Sequence, residues 1–188
     1  DGTEIAVLRG HENDVRGALE LRDGRLLSWA SVFLLGDQTL RLWAADGTEI
    51  AVLRGHEGKV IGALELRDGR LLSWAEDETL RLWAADGTPL GAMRRDASPS
   101  EVRAWFAAHD ADWGTFIENW ERYALAPERG LLAWRHGAAL HLCRAETGEE
   151  IARFYADSEI TVARFLQGGA AIALGCANGQ VIFLQVNL

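Results

Sequence analysis

Lysine is almost missing from this chain. Lys59 is the only one, and every other cationic side chain outside histidine is arginine. No basic run exceeds the pair Arg94–Arg95, and the formal net charge is −9. An acidic surface repels phosphate backbones, so no nucleic acid is expected as a partner. Only two cysteines occur, Cys143 and Cys176, and they form no spaced framework. That pattern suits a reducing, cytoplasmic setting better than a disulfide-stapled secreted domain. No apolar run has the length needed to cross a bilayer, so no membrane partner is expected. A charged-then-apolar leader is also lacking. The chain begins with Asp1 rather than Met and opens inside a repeat, so it is expected to be part of something longer.

What the chain does have is a duplication. Residues Asp1–Glu12 read DGTEIAVLRGHE, and so do Asp46–Glu57. GALELRDGRLLSWA follows at Gly17–Ala30 and again at Gly62–Ala75, and TLRLWAADGT closes each copy. The second copy has a period of about 40 residues, and the first is longer by the insert Ser31–Leu35. Self-similarity at that spacing marks a repeat architecture, in which one unit cannot bury its apolar face alone. With 48% hydrophobic residues there is ample material for that burial. Within the second copy, four β-like segments alternate with Gly/Asp turns: Ile50–Leu53, Val60–Leu66, Arg70–Ala75 and Thr79–Ala84. Four strands in about 40 residues is the rhythm of a β-propeller blade.

The residues themselves resemble the WD-repeat family: LRGHE, then V-x-x-A-L-x-L-x-DG, LLSW and D-x-TLRLW. The Trp-Asp pair that names the family is Trp-Ala here, at Trp43–Ala44 and Trp83–Ala84. The resemblance is strong over residues 1–90, degenerate over 123–188 and absent between them. It implies an all-β fold of about four four-stranded antiparallel blades, with a short helical insertion in the third. The expected boundaries are blade 1 at about 1–52, blade 2 at 53–93, the insert at 96–119, blade 3 at 120–155 and blade 4 at 156–188, closed by a strand over 3–8. The family also places a hydrogen-bonded His, Ser/Thr, Asp and Trp network inside each blade. Carried over by position, that network is His11, Ser28, Asp37 and Trp43 in the first copy, and His56, Ser73, Asp77 and Trp83 in the second. In the third unit Ala133, Gly137 and Cys143 stand at those positions, so no network is expected there.

Between Met93 and Trp120 the strand pattern stops. Ser98-Pro99-Ser100-Glu101 reads as a capping box with proline in the first turn, followed by Val102, Trp105 and Phe106 at helical spacing. Asp112 caps a second expected helix, with Trp113, Phe116, Ile117 and Trp120 on one face. Both this insertion and Ser31–Leu35 fall on turns that share one rim in the family, and loops on a rigid scaffold carry function. The contact candidates on that rim are Arg9, Arg54, Phe33, Leu34, Trp105 and Trp113. The plainer reading is that the helices cap a degenerate blade and their aromatics are core. Trp29 and Trp74, repeated beside the network serines, are read as packing residues or, alternatively, as binding anchors.

Chemistry is harder to find. His56, Ser73 and Asp77 have the residue types of a hydrolytic triad, but the set recurs in both copies and no G-x-S-x-G elbow is present. His136, His141 and Cys143 lack a fourth ligand and a paired C-x-x-C, so no metal and no cofactor are expected. The acids Asp110, Asp112, Glu118 and Glu121 read as a solvated face. The expectation is a non-catalytic protein–protein interaction scaffold or sensor. Tandem blades this alike resemble bacterial WD-repeat arrays, which implies the C-terminal part of a larger signalling protein. The alternative is a self-assembling element, in which a homodimer closes a larger ring.

Overall fold

The LELRDGRLL segment builds a hairpin because its turn is chemically specified. Leu21 N–H donates to Arg25 O at 2.8 Å, Gly24 N–H returns to Leu21 O at 2.9 Å, and Asp23 accepts from Arg25 N–H. Gly24 has φ 84° and its twin Gly69 has φ 85°, a left-handed conformation that favours glycine. The computed structural model describes residue 4 and residues 6–30, 37–119 and 122–187. Trp120, Glu121 and the whole Ser31–Leu35 insert, with Phe33 and Leu34, lie outside the described residues. The expected closing strand over 3–8 does so in part, and its described positions, Glu4 and Ala6–Leu8, are in no strand.

The chain forms two compact units, Asp1–Arg95 and Asp96–Leu188. In the first, strands β1 (Val15–Glu20), β2 (Leu26–Ala30), β3 (Leu40–Trp43) and β4 (Glu49–Leu53) make an antiparallel sheet in sequence order. Strands β5 (Val60–Glu65), β6 (Leu71–Ala75), β7 (Thr79–Trp83) and β8 (Pro89–Arg94) repeat that sheet. The copies share their register: Ser28 faces Arg41 and Ser73 faces Arg81, with a bulge near the start of β1 and of β5. Leu27, Leu40, Leu42 and Leu53 of the first sheet pack on Val60, Leu71 and Trp83 of the second. Each of these leucines is at most 1% exposed, and full burial of a leucine is worth about 1.5–3 kcal/mol.

Trp29 and Trp74 lie across their own sheets. A Cβ added at Gly17 would collide with the Trp29 ring, and one at Gly62 with Trp74. The glycine on the neighbouring strand is therefore what admits each indole, and both tryptophans are half-buried packing residues.

The second unit opens with helices α1 (Pro99–Ala108) and α2 (Trp113–Asn119), then strands β9 (Tyr123–Ala126), β10 (Leu131–His136), β11 (Ala139–Arg144) and β12 (Glu150–Tyr155). The α1 capping box is formed: Ser98 Oγ accepts from Glu101 N–H, and the Glu101 carboxylate accepts from Ser98 N–H at 2.8 Å. Asp112 accepts from Gly114 N–H at 2.9 Å at the start of α2. Strands β13 (Ile160–Leu166), β14 (Ala171–Cys176) and β15 (Val181–Gln185) form a sheet of three strands among the described residues. Its Ala163, Ile172 and Leu174 pack on Ala124, Leu131, Ala133 and Leu140. Among the described residues the architecture is thus mostly β, four antiparallel sheets of three or four strands with two helices. Neither helix is long and apolar enough to cross a membrane.

Because Leu42 is fully buried where the two sheets of the first unit meet, Leu42→Ala is expected to cost about 2–5 kcal/mol. Urea denaturation followed by tryptophan fluorescence measures it. A midpoint equal to wild type would place Leu42 outside the core.

Candidate functional site

The eight residues singled out as a network come together as two copies of one arrangement. In the first, His11 Nδ1 lies 2.6 Å from Asp37 Oδ2 and His11 Nε2 lies 2.8 Å from Ser28 Oγ. Trp43 Nε1–H donates to the same Ser28 Oγ at 2.8 Å. In the second, the His56–Asp77, His56–Ser73 and Trp83–Ser73 distances are 3.1, 2.8 and 2.9 Å. One direction of donation satisfies every group. The indole N–H donates to the serine, the serine O–H to His Nε2, and His Nδ1–H to the carboxylate. The histidine is then neutral. Each aspartate also accepts the backbone N–H of Glu12 or Glu57, which ties the turn before β1 or β5 to the turn before β3 or β7.

Two members were missed at the sequence level. Thr39 and Thr79 each donate their hydroxyl and their backbone N–H to Asp37 or Asp77. Thr79 Oγ1 also lies 3.0 Å from His56 Nδ1. The D-x-T spacing, identical in both copies, was the available signal.

Burial decides what this constellation can do. Ser73 is 0% exposed, Trp83 1% and His56 6%. Burial pulls the His56 pKa below its ordinary value; the Asp77 carboxylate opposes that, and the Arg81 and Arg95 charges add to it. Burial alone would push Asp37 and Asp77 up. Hydrogen bonds from the threonines, the histidine side and the Glu12 or Glu57 backbone outweigh it and hold both carboxylates below the usual value. A nucleophilic serine needs an approach path and a free lone pair. Ser73 has no approach path, because its oxygen is buried under Trp83.

The second unit places a different set at the corresponding strands. Trp134 stacks on His141 at 4.4 Å with a 35° tilt, and His141 Nδ1 lies 2.6 Å from Glu150 Oε2. Arg153 donates to both Glu150 oxygens, at 2.9 and 3.0 Å, and to the Tyr155 hydroxyl. The opposition of His141 and Arg153 across β11 and β12 creates this group. Sequence reading had weighed His141 only as a metal ligand. Cys143 is buried, and burial together with the nearby Glu150 pushes its thiol up to about 12, far from a reactive thiolate. Among the described residues no cluster of His, Cys, Asp and Glu has metal-binding geometry.

The contact candidates separate by environment. Arg9 and Arg54 are exposed. Trp105 is half-buried and packs on Phe106 and His109. Trp113 packs against Phe106, Phe116 and Tyr123, and its Nε1–H donates to Ala145 O at 3.3 Å, so it serves the interior of the second unit. Two of the cavities among the described residues bear on these side chains. One of about 280 Å3 lies beside β15, between Leu140, Phe154, Ile172 and Leu184. The other, about 200 Å3 and polar, is bordered by Glu12, Asp37, Arg41, Arg54 and His56.

No protein-family model matches the chain, and no curated protein matches it. Among solved structures it is similar to the crystal structure of the computationally designed Ika4 protein. That match has 18% identity and a TM-score of 0.49, covering 100% of both chains.

Stability should follow the ionisation of this network. Asp37 and Asp77 have lowered folded-state values, so their contribution is complete above about 3.8 and is lost as pH falls through those lower values. His56 is also lowered, so the unfolded chain takes up its proton first and stability falls as pH drops below about 6.5. Urea midpoints from pH 8 to 3 should therefore decline in two stages, and His56→Gln should remove the earlier one. A flat profile between pH 8 and 4 would contradict the assignment. Separately, Ser73→Ala leaves the Trp83 indole N–H without an acceptor and should destabilise by about 1–3 kcal/mol, read from the same midpoints.

Proposed function

We propose that this chain is part of a WD-repeat-like β-propeller and serves as a non-catalytic platform for protein partners. The observation that carries this reading is the commitment of the network: the side chains with the right chemistry for catalysis are buried and used twice over in holding sheets together. Four antiparallel sheets, each pairing consecutive strands in order, support the blade assignment. A rigid scaffold of that kind offers its turns to a partner. Arg9 and Arg54 recur at the same turn of the two copies, exposed, and are the candidate contacts. The partner is a protein, since a net charge of −9 disfavours nucleic acid. The setting is a bacterial signalling protein of the cytoplasm, in which the chain acts as the sensor part.

One observation favours a second reading, self-assembly. Among the described residues β15 pairs with a strand on one side only and exposes Val181 and Phe183. The segment Asp1–Glu12 duplicates Asp46–Glu57, which supplies the fourth strand of the first sheet. Residues 3–8 of a second copy would then complete the three-stranded sheet and close a homodimer.

Light scattering behind a sizing column separates the readings. The platform reading expects the mass of one chain, and a binding partner lost in the Arg9→Glu, Arg54→Glu double variant with no change in Tm. A sharp species at twice the chain mass would replace it with self-assembly.

A further inference from the structure

Arg41 and Arg81 occupy the same place in the two sequence copies, on β3 and β7. Each guanidinium lies over the glycine of the Arg-Gly-His-Glu turn. A Cβ added at Gly10 would overlap Nη1 of Arg41, and one at Gly55 would come within 2.7 Å of Nη1 of Arg81. In both arginines the Nε–H is buried without an acceptor. The copies differ in what closes the outer side. Nη1 of Arg41 meets the carboxylate of Glu49, which lies at the start of β4 opposite Trp43. At the corresponding position, opposite Trp83 at the start of β8, the chain has Pro89. Arg81 therefore keeps the placement and loses the anion. It carries no hydrogen bond or ion pair among the described residues, and neither does the exposed Arg54 that precedes Gly55.

A half-buried guanidinium has lost part of its hydration, and its planar fork matches a carboxylate. The charge is felt nearby: behind burial, Arg81 adds to the lowering of the His56 pKa. We propose that the Arg81 guanidinium over Gly55 forms a notch that takes the carboxylate of a glutamate or aspartate side chain from an acidic partner segment, in the place Glu49 occupies on Arg41. The first copy of the duplication is the internal template for the ligand: the anion that fits this arginine there is a carboxylate. This inference rests on the platform reading for the source of the acidic segment, but the notch itself can be tested without any partner.

The test is an NMR titration of the full chain, labelled with 15N-arginine, with the peptide triglutamate at low ionic strength. The buried Nε–H groups of Arg41 and Arg81 report on the two copies separately. The expected result is a saturable shift at Arg81 and none at Arg41, weakening as salt is added. Pro89→Glu supplies the missing carboxylate from within and should weaken peptide binding at least tenfold. Glu49→Pro copies the second sequence into the first and should create a second responsive site at Arg41. Pro89 already occupies the equivalent backbone position, so this variant is expected to fold. Equal, non-saturating drift at both arginines, or undiminished binding by Pro89→Glu, would overturn the proposal. So would inorganic phosphate displacing the peptide at lower concentration than acetate does. A bound peptide with no protein partner for the chain would leave the notch standing and remove the platform reading.

Discussion

A serine hydroxyl sealed inside a β-sheet must be given both an acceptor and a donor, or the sheet carries an unsatisfied polar group. Ser28 and Ser73 meet that constraint through one histidine and one tryptophan each. The consequences spread outward. The histidine must come from the turn before the first strand, so that turn is pinned. Its other nitrogen needs a carboxylate, so the aspartate before the third strand is fixed, and with it a threonine and a backbone N–H. A single buried hydroxyl thus determines the positions of two turns and the register of three strands. The leucines of the first unit can then meet face to face, because the sheets that carry them are already held in shape.

Among its described residues the second unit shows no such network and is held by other means. Ala133 follows two leucines on β10 as Ser73 does on β6, so no hydroxyl there needs satisfying. Rings replace hydrogen bonds. Phe106, Trp113, Phe116 and Tyr123 pack in edge-to-face and tilted pairs between the helices and β9, and Trp134 lies on His141. Such aromatic pairs tolerate irregular geometry better than a directional polar chain does.

The duplication made much of this legible before any coordinates. His11, Ser28, Asp37 and Trp43 are named with their twins only through the resemblance to the WD-repeat family, while the turn glycines and the capping box at Ser98 are local signals. What escaped was relational. The threonines of the network looked like ordinary strand residues. Trp113 is open at the sequence level between core and contact, because a helical face does not announce what it packs against. The group around His141 exists only through register, with Arg153 opposite it on another strand. Most telling is the single replacement of Glu49 by Pro89, trivial as a sequence difference. It becomes informative only when Arg41 is seen closed on that glutamate and Arg81 is seen without it.

The central claim is that both copies of the polar network are sealed structural elements rather than accessible chemistry. Native-state hydrogen exchange of the Trp43 and Trp83 indole N–H groups tests it most directly. The account predicts that both exchange as slowly as the slowest backbone amides of β2 and β6, released only when the sheet opens. Indole protons that exchange within minutes, while those amides stay protected, would show that solvent reaches the serines and would contradict it.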